Sequence, residues 1–151
     1  MLLIEQRKYL EAEEVFRKAV EANPFHSRAF HNLGIMREQQ GRLDEALQFY
    51  RKAVEREPNF PLAHFHIGRI LANQKRYDEA ISHFLMTLSP TDASTPTYLY
   101  ALSATYARAG NREEALRYGR RAREQAAARG QSELLRNIER DLRVLEETGP
   151  P

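Results

Sequence analysis

The sequence predicts an all-α fold in which pairs of antiparallel helices are repeated along the chain. The first observation is a self-similarity with a period of 34 to 35 residues, which is the signature of a repeat architecture. The segment 16–21 recurs at 50–55 with one residue changed, and four alanines keep the same period: Ala12, Ala46, Ala80 and Ala115. The second observation is an apolar stripe with helical spacing, formed in the clearest unit by Ala46, Leu47, Tyr50, Ala53 and Val54.

Glycine and proline separate nine predicted helices. Residues 1–6 are the remnant of one helix, and a second helix follows it in the first unit. Gly41 ends the third helix, because glycine adopts the left-handed C-terminal conformation without a steric penalty. Pro58 and Gly130 mark later breaks, and Pro61 suits the first position of a helix, where its missing N–H has no partner to lose. The other predicted helices are 28–40, one that opens at Asp44, 61–74, 78–88, 96–109, 112–129 and 132–147.

These helices are predicted to form a single domain, residues 1–147, followed by a disordered tail at 148–151. The domain comprises a partial repeat at 1–26, repeats at 27–60, 61–95 and 96–129, and a capping helix at 132–147. About half a hairpin is missing from the first unit. Either the chain is a fragment of a longer array, which is the favoured expectation, or Met1 is the start and the open end meets a partner.

The repeated sites resemble those of the tetratricopeptide repeat family. In repeat 27–60 the matching sites are Phe30, Leu33, Gly34, Gly41, Ala46, Tyr50, Ala53 and Pro58. Later repeats depart from the pattern, with Thr87 at an alanine site, Asp92 at a proline site, Ser103 at a glycine site and Gly119 at an aromatic site. The resemblance spans residues 1–128. It implies a right-handed α-solenoid of antiparallel helix pairs, closed by the helix at 132–147.

In this family the first helix of each repeat, the leading helix, lines the concave face of the superhelix. The resemblance therefore implies a binding groove made by the leading helices. Carried over by position, its lining residues are Arg28, His31, Asn32, Ile35, Leu62, Phe65, His66, Arg69, Asn73, Tyr100 and Arg108. This mixture of aromatic surface, hydrogen-bonding groups and arginines suits an extended or helical peptide with acidic groups, because arginine can bind a carboxylate through two parallel hydrogen bonds.

The strongest candidates lie on adjacent turns near the centre of the array: Asn32, Phe65, His66 and Arg69. Phe65 has an alternative interpretation, in which His64 faces outward and Phe65 fills the core. The carboxylate clamp of some family members is not expected, because Leu62 and His66 stand where that clamp requires other residues.

No catalytic, cofactor-binding or metal site is predicted. The chain contains no cysteine, which excludes disulfides and thiolate metal sites. His64 and His66 are two residues apart, which places them on different faces of a helix, whereas a zinc helix uses an i, i+4 pair. The sequence also lacks a glycine-rich phosphate loop and a nucleophile elbow. The predicted function is therefore a non-catalytic protein-interaction module without a cofactor, whose partner is a protein or peptide.

An alternative function is homo-oligomerisation or assembly through the open N-terminal half-repeat. There Leu2, Leu3 and Ile4 are expected to have an uncovered apolar face, which a second copy or upstream repeats could cover. This alternative can coexist with binding in the groove.

Nucleic-acid binding through the arginine-rich helix at 112–129 is a weaker alternative. The net charge is only +2, and Glu113 and Glu124 each lie one helical turn from an arginine, Arg117 and Arg120 respectively, which predicts a partly neutralised face. No aromatic residues alternate with these arginines to stack on bases. No apolar run is long enough to span a bilayer, and a cytoplasmic location is the default expectation.

Overall fold

The described part of the chain consists of eight α-helices. The structure is a computed structural model that describes residues 2–89 and 91–147, with the backbone alone for residues 2–9. Within these ranges no strand occurs, and the predicted all-α fold is confirmed. The predicted disordered tail at 148–151 lies outside them. The helices are α1 (Leu2–Ala22), α2 (Ser27–Gln39), α3 (Leu43–Arg56), α4 (Pro61–Asn73), α5 (Tyr77–Leu85), α6 (Thr95–Arg108), α7 (Arg112–Ala128) and α8 (Ser132–Glu147), with a 3₁₀ turn at Met86–Leu88.

The prediction of a separate helix at residues 1–6 is wrong, because α1 runs without a break from Leu2 to Ala22. The reason lies at the turn position of the repeat. In later repeats that position holds Gly41, Lys75 and Gly110, all with a left-handed backbone at φ 74°, 62° and 81°. The corresponding residue of the first unit is Arg7. A left-handed conformation costs arginine more than glycine, which favours a continuous helix at this point, although Lys75 shows that a long side chain can make the turn.

The chain divides into two compact units, Met1–Ile67 (unit 1) and Gly68–Pro151 (unit 2). In unit 1, α2 and α3 approach closely because Gly34 has no side chain. A Cβ atom at Gly34 would lie 2.6 Å from Cε1 of Tyr50, a ring that is fully buried. A cluster of Phe30, Ala53, Phe60 and Ala63 completes the core of this unit. Small residues at the family's sites therefore do what the repeat pattern predicts, which is to let paired helices pack closely.

A buried ion pair joins α1 to α2 in unit 1. The Arg37 side chain, 4% exposed, donates from Nη2 to Oε1 of Glu13 at 2.7 Å and from Nη1 to Oε2 at 3.1 Å. These hydrogen bonds hold the pKa of Glu13 at about 2 against desolvation by burial. The pair fixes the register of α1, because both carboxylate oxygens are used at once.

In unit 2 the two departures from the family pattern at Ser103 and Gly119 compensate each other. The Ser103 hydroxyl fills the usual glycine site and donates to the carbonyl oxygen of Ala115 at 2.7 Å. A Cβ atom at Gly119, where the family has an aromatic ring, would lie 2.9 Å from that hydroxyl and 2.7 Å from Cδ2 of Leu142. The missing ring therefore leaves room for Ser103 and for α8, whose Ile138 and Leu142 are buried.

Candidate functional site

The predicted groove residues of unit 1 differ widely in exposure. Arg28 and Leu62 are exposed, whereas Asn32 and Ile35 are half-buried. His31 is buried at 6% exposure, so the expectation that its ring faces the groove is wrong. The interpretation in which His64 faces outward is also wrong, because His64 is buried with Nε2 2.9 Å from the carbonyl oxygen of Pro58.

His31 is buried because three other rings surround it. Its ring centroid lies 5.0 Å from Phe60, 5.3 Å from His66 and 5.5 Å from Tyr50. Among the described residues, none offers a hydrogen-bond partner to Nε2 of His31. Burial and the nearby His66 lower the pKa of His31 to about 4, so the ring is neutral at pH 7. These four rings, His31, Tyr50, Phe60 and His66, are called the ring cluster below.

His66 forms the partly exposed edge of the ring cluster. Its ring stacks on Tyr50 with centroids 4.8 Å apart and planes 16° from parallel. Nδ1 of His66 lies 3.2 Å from Oε2 of Glu38, the same oxygen that accepts a hydrogen bond from the Tyr50 hydroxyl at 2.9 Å. Phe65 packs edge-on against His66 and is half-buried. These contacts hold the rings in place, which makes the cluster a rigid wall built of flat surfaces.

Unit 2 contains an open groove between its leading helices. The groove has a volume of about 260 Å³, and α4 and α6 supply most of its lining. Two of the arginines predicted for the groove, Arg69 and Arg108, line it together with Asn73. Partial burial lowers the pKa of Arg69 below its usual range, yet a guanidinium remains cationic in proteins. The small residues of this unit 2 groove are Ala72, Ala101, Ala104 and Thr105.

A second cavity of about 300 Å³ lies between α6 and α8. It shares Ala104 and Arg108 with the unit 2 groove, so the two cavities adjoin. The Tyr100 hydroxyl donates to Oδ2 of Asp141 across this α6–α8 pocket, and burial together with that carboxylate raises the pKa of Tyr100 to about 12. The apolar part of its lining consists of Ala104, Ala107, Val144 and Leu145.

Sequence reasoning placed Tyr100 and Arg108 at this site but missed the contribution of α8. The prediction treated α8 only as a capping helix. Val144, on α8, is 54% exposed. A large apolar residue outside the buried face of a helix indicates a surface that something else can cover.

The arginine-rich face of α7 is partly neutralised, by carboxylates other than the predicted ones. Arg117 pairs with Glu114 and Arg120 with Glu146, rather than with the carboxylates predicted from spacing alone. The guanidinium of Arg117 also lies 4.7 Å from the centroid of the Tyr118 ring. Within the described ranges there is no cluster of side chains that could hold a metal ion, and no helix is long and apolar enough to cross a membrane.

Comparison with family models identifies one repeat family. Two models of the tetratricopeptide repeat match residues 1–59 and 38–105. No curated protein matches the chain. Similar solved structures include YrrB, described as a TPR protein with an unusual peptide-binding site, with 26% sequence identity and a TM-score of 0.67. That match covers 75% of this chain and 58% of YrrB, so the chain spans less than two thirds of that protein.

Two structures of MamA are also similar. One, MamA AMB-1, has 26% identity and a TM-score of 0.65, with 77% of this chain and 68% of that chain covered. The other has 20% identity and a TM-score of 0.69, covers 82% of this chain and 67% of that chain, and shows a shared fold alone. Because the two family models together match residues 1–105, well over half of the chain, this protein belongs to the tetratricopeptide repeat family.

Proposed function

We propose that this chain is a non-catalytic interaction module that binds a segment of another protein in the unit 2 groove. Membership of the tetratricopeptide repeat family supports an interaction role in general. The description of YrrB as having a peptide-binding site supports a peptide as the form of the ligand. The exposed predicted residues of unit 1, Arg28 and Leu62, stay candidates for further contacts with the partner.

The observation that carries the proposal is the composition of the unit 2 groove. Three alanines contribute to its lining and leave the groove open, and Arg69 and Arg108 give it positive charge. A preformed concave surface with few, well-placed polar groups is what ligand sites in proteins have in common. Arginines in such a channel favour a segment with acidic side chains or a terminal carboxylate.

Selection from a displayed library of random linear peptides tests this proposal. Peptides selected on the wild-type chain are then measured against Ala104→Phe, which fills the groove at a half-buried position. We expect binding to weaken by at least about tenfold, because the phenyl ring occupies the space of the ligand. Ala127→Phe, which makes the same change at an exposed position of α7, is the matched control and should bind as the wild type does.

Thermal unfolding of both variants shows whether the fold is kept. If Ala104→Phe folds and binds every selected peptide with unchanged affinity, the unit 2 groove is not the binding site. Arg108→Ala gives an independent check, because it removes charge from the groove without adding volume.

Self-association is a second candidate function, and exposed apolar residues on α1 favour it. Leu10 is 60% exposed and Val15 is 62% exposed, and both belong to the N-terminal helix. Light scattering at two concentrations should then show a mass that rises with concentration. The double variant Leu10→Lys with Val15→Lys should stay monomeric, whereas a monomeric wild-type chain would rule this candidate out. The side chains of Leu2, Leu3 and Ile4, which the sequence predicts to form an uncovered apolar face, are not among those that the structure describes.

A further inference from the structure

We infer that the α6–α8 pocket anchors one large apolar side chain of the bound segment, next to an acidic group held by Arg108. The inference rests on the proposed function and specifies its ligand: a peptide segment in which an aliphatic or aromatic residue is close in sequence to an aspartate, a glutamate or a terminal carboxylate. It also gives α8 a second role beyond covering the core.

The apolar character of the α6–α8 pocket comes from both helices. Ala104 and Ala107 of α6 contribute small side chains, and Val144 and Leu145 of α8 contribute larger ones. Val144 is 54% exposed in a cavity of about 300 Å³. Covering such a surface with an apolar ligand side chain removes hydrocarbon from water on both partners, which is the main favourable term in most protein associations.

The polar groups of this pocket are already engaged, apart from one arginine. The Ser103 hydroxyl donates to the Ala115 carbonyl, and the Asp141 carboxylate accepts from Tyr100 and from Nε of Arg140. In the described part of the chain, by contrast, no carboxylate pairs with Arg108. Arg108 is therefore the charged group of this pocket with which an acidic group of the ligand can pair.

The location of Arg108 connects the two cavities. Arg108 and Ala104 line both the unit 2 groove and the α6–α8 pocket, so a peptide that runs from one cavity into the other passes Arg108. An apolar residue in the pocket and an acidic residue on Arg108 would then be near neighbours in its sequence. This geometry selects a combination of residues, and neither a purely acidic nor a purely apolar peptide satisfies it.

The α8 wall is fixed before any ligand arrives. Nε of Arg112 donates to the carbonyl oxygen of Leu145 at 2.8 Å, and Nη2 donates to the carbonyl oxygen of Glu146 at 3.3 Å. The Tyr100–Asp141 hydrogen bond holds α8 to α6 one turn earlier. A preformed pocket costs little ordering entropy on binding, so most of the burial energy contributes to affinity.

The test uses a peptide that the library selection yields and that Ala104→Phe fails to bind. Its affinity is measured by fluorescence anisotropy on the wild type and on Val144→Lys, which places a charge at the pocket wall at an exposed position. We expect about tenfold weaker binding to Val144→Lys. Replacing the peptide's apolar anchor by alanine should cost about tenfold on the wild type and almost nothing more on Val144→Lys. Leu85→Lys, at an exposed site on α5 that lines neither cavity, is the matched control and should leave affinity unchanged.

The acidic half of the inference is tested with Arg108→Glu. Affinity for the same peptide should fall by ten- to about a hundredfold, and exchanging the peptide's acidic residue for lysine should restore part of it. The inference is overturned if Val144→Lys and Arg108→Glu bind the peptide as the wild type does while Ala104→Phe does not. That result would leave the proposed function standing, whereas equal binding to Ala104→Phe would remove the proposed function itself.

Discussion

The two units use corresponding positions of their leading helices in opposite ways. Asn32 and Ile35 of α2 correspond to Ala101 and Ala104 of α6, 69 residues later. In unit 1, rings fill the space around the leading helix, and His31 is buried within the ring cluster. In unit 2, alanines leave a groove and a pocket open. The repeat fixes where helices cross, while side-chain volume at the positions it leaves free decides where a cavity forms.

The largest expected difference between the units concerns the charge buried in unit 1. Arg37 occupies a position that holds Leu71 and Tyr106 in later repeats. Glu13→Leu removes the partner that meets both Nη atoms of this arginine, which leaves a cation 4% exposed. We expect the free energy of unfolding to fall by about 3 kcal/mol, because a buried charge loses its main compensation. Urea denaturation measures this loss.

The double variant Glu13→Leu with Arg37→Leu is the control for that experiment. It removes both charges and gives unit 1 the leucine found in the later repeat, so it should recover most of the stability. A double variant less stable than Glu13→Leu alone would contradict the account of unit 1, since the ion pair would then not be the cause.

The ring cluster predicts a pH dependence of stability. The pKa of His31 is about 4 in the folded protein and about 6.5 when unfolded, so the folded state binds fewer protons between these values. The neutral His31 ring therefore contributes fully to the stability of the fold above pH 6.5. This contribution is lost as the pH falls towards 4, and the loss reaches about 3 kcal/mol. His31→Phe should reduce the slope of unfolding free energy against pH in this window. Part of the slope should remain, because burial also lowers the pKa of His64 and His66.

The ion pair between Glu13 and Arg37 predicts a separate loss of stability at lower pH. The pKa of Glu13 is about 2 in the folded protein, against an ordinary value of 4.5, so its stabilisation falls as the pH drops through that range. His31→Phe should leave this lower transition in place. If His31→Phe and the wild type show the same slope of unfolding free energy against pH between 6.5 and 4, then His31 titrates normally in the folded protein.

Ser103 and Gly119, which compensate each other in unit 2, predict a smaller loss of stability that a second substitution partly reverses. Gly119→Ala places a methyl group 2.9 Å from the Ser103 hydroxyl and 2.7 Å from Leu142, so we expect a loss of about 1 to 2 kcal/mol. Adding Ser103→Gly should recover part of it, since it removes one of the two clashes. In unit 1, Gly34→Ala meets the buried Tyr50 ring and offers no comparable rescue. Thermal unfolding of these variants provides the comparison; no recovery in the double variant would contradict the pairing.

The smallest expected effect on stability comes from removing exposed arginines, whose proposed role is in binding and not in packing. Arg108→Ala in unit 2 and Arg28→Ala in unit 1 remove exposed arginines from leading helices, and each should change the unfolding free energy by less than about 0.5 kcal/mol. Titration with a selected peptide should then distinguish them, with binding weakened by Arg108→Ala more than by Arg28→Ala. The reverse order would assign the ligand to unit 1.

Much of the fold follows from the sequence because the repeat sites are the places where helices meet. Gly34 against Tyr50 and Gly68 against Phe84 are contacts that only a small residue permits, so their spacing predicts the crossings. The continuity of α1 was not predicted, because periodicity suggested a turn that Arg7 does not make. The substitution of arginine for the turn glycine was visible, but the repeat pattern outweighed it.

The candidate site was less predictable, because its residues lie outside the family's sites. Arg69, Asn73 and Arg108 were assigned to a groove by their position on the leading helices, and all three line the unit 2 groove. The burial of His31 depends on rings from three other segments, and no spacing rule reports such packing. Val144 became visible as part of a pocket only when α8 was seen beside α6.

Backbone amide chemical shifts, recorded during titration with a peptide from the library selection, test the central claim most directly. We expect the largest changes at Ala101, Ala104, Arg108 and Val144, with the amides of the ring cluster nearly unchanged. The largest changes in the ring cluster or along α1, with unit 2 unaffected, would contradict the account.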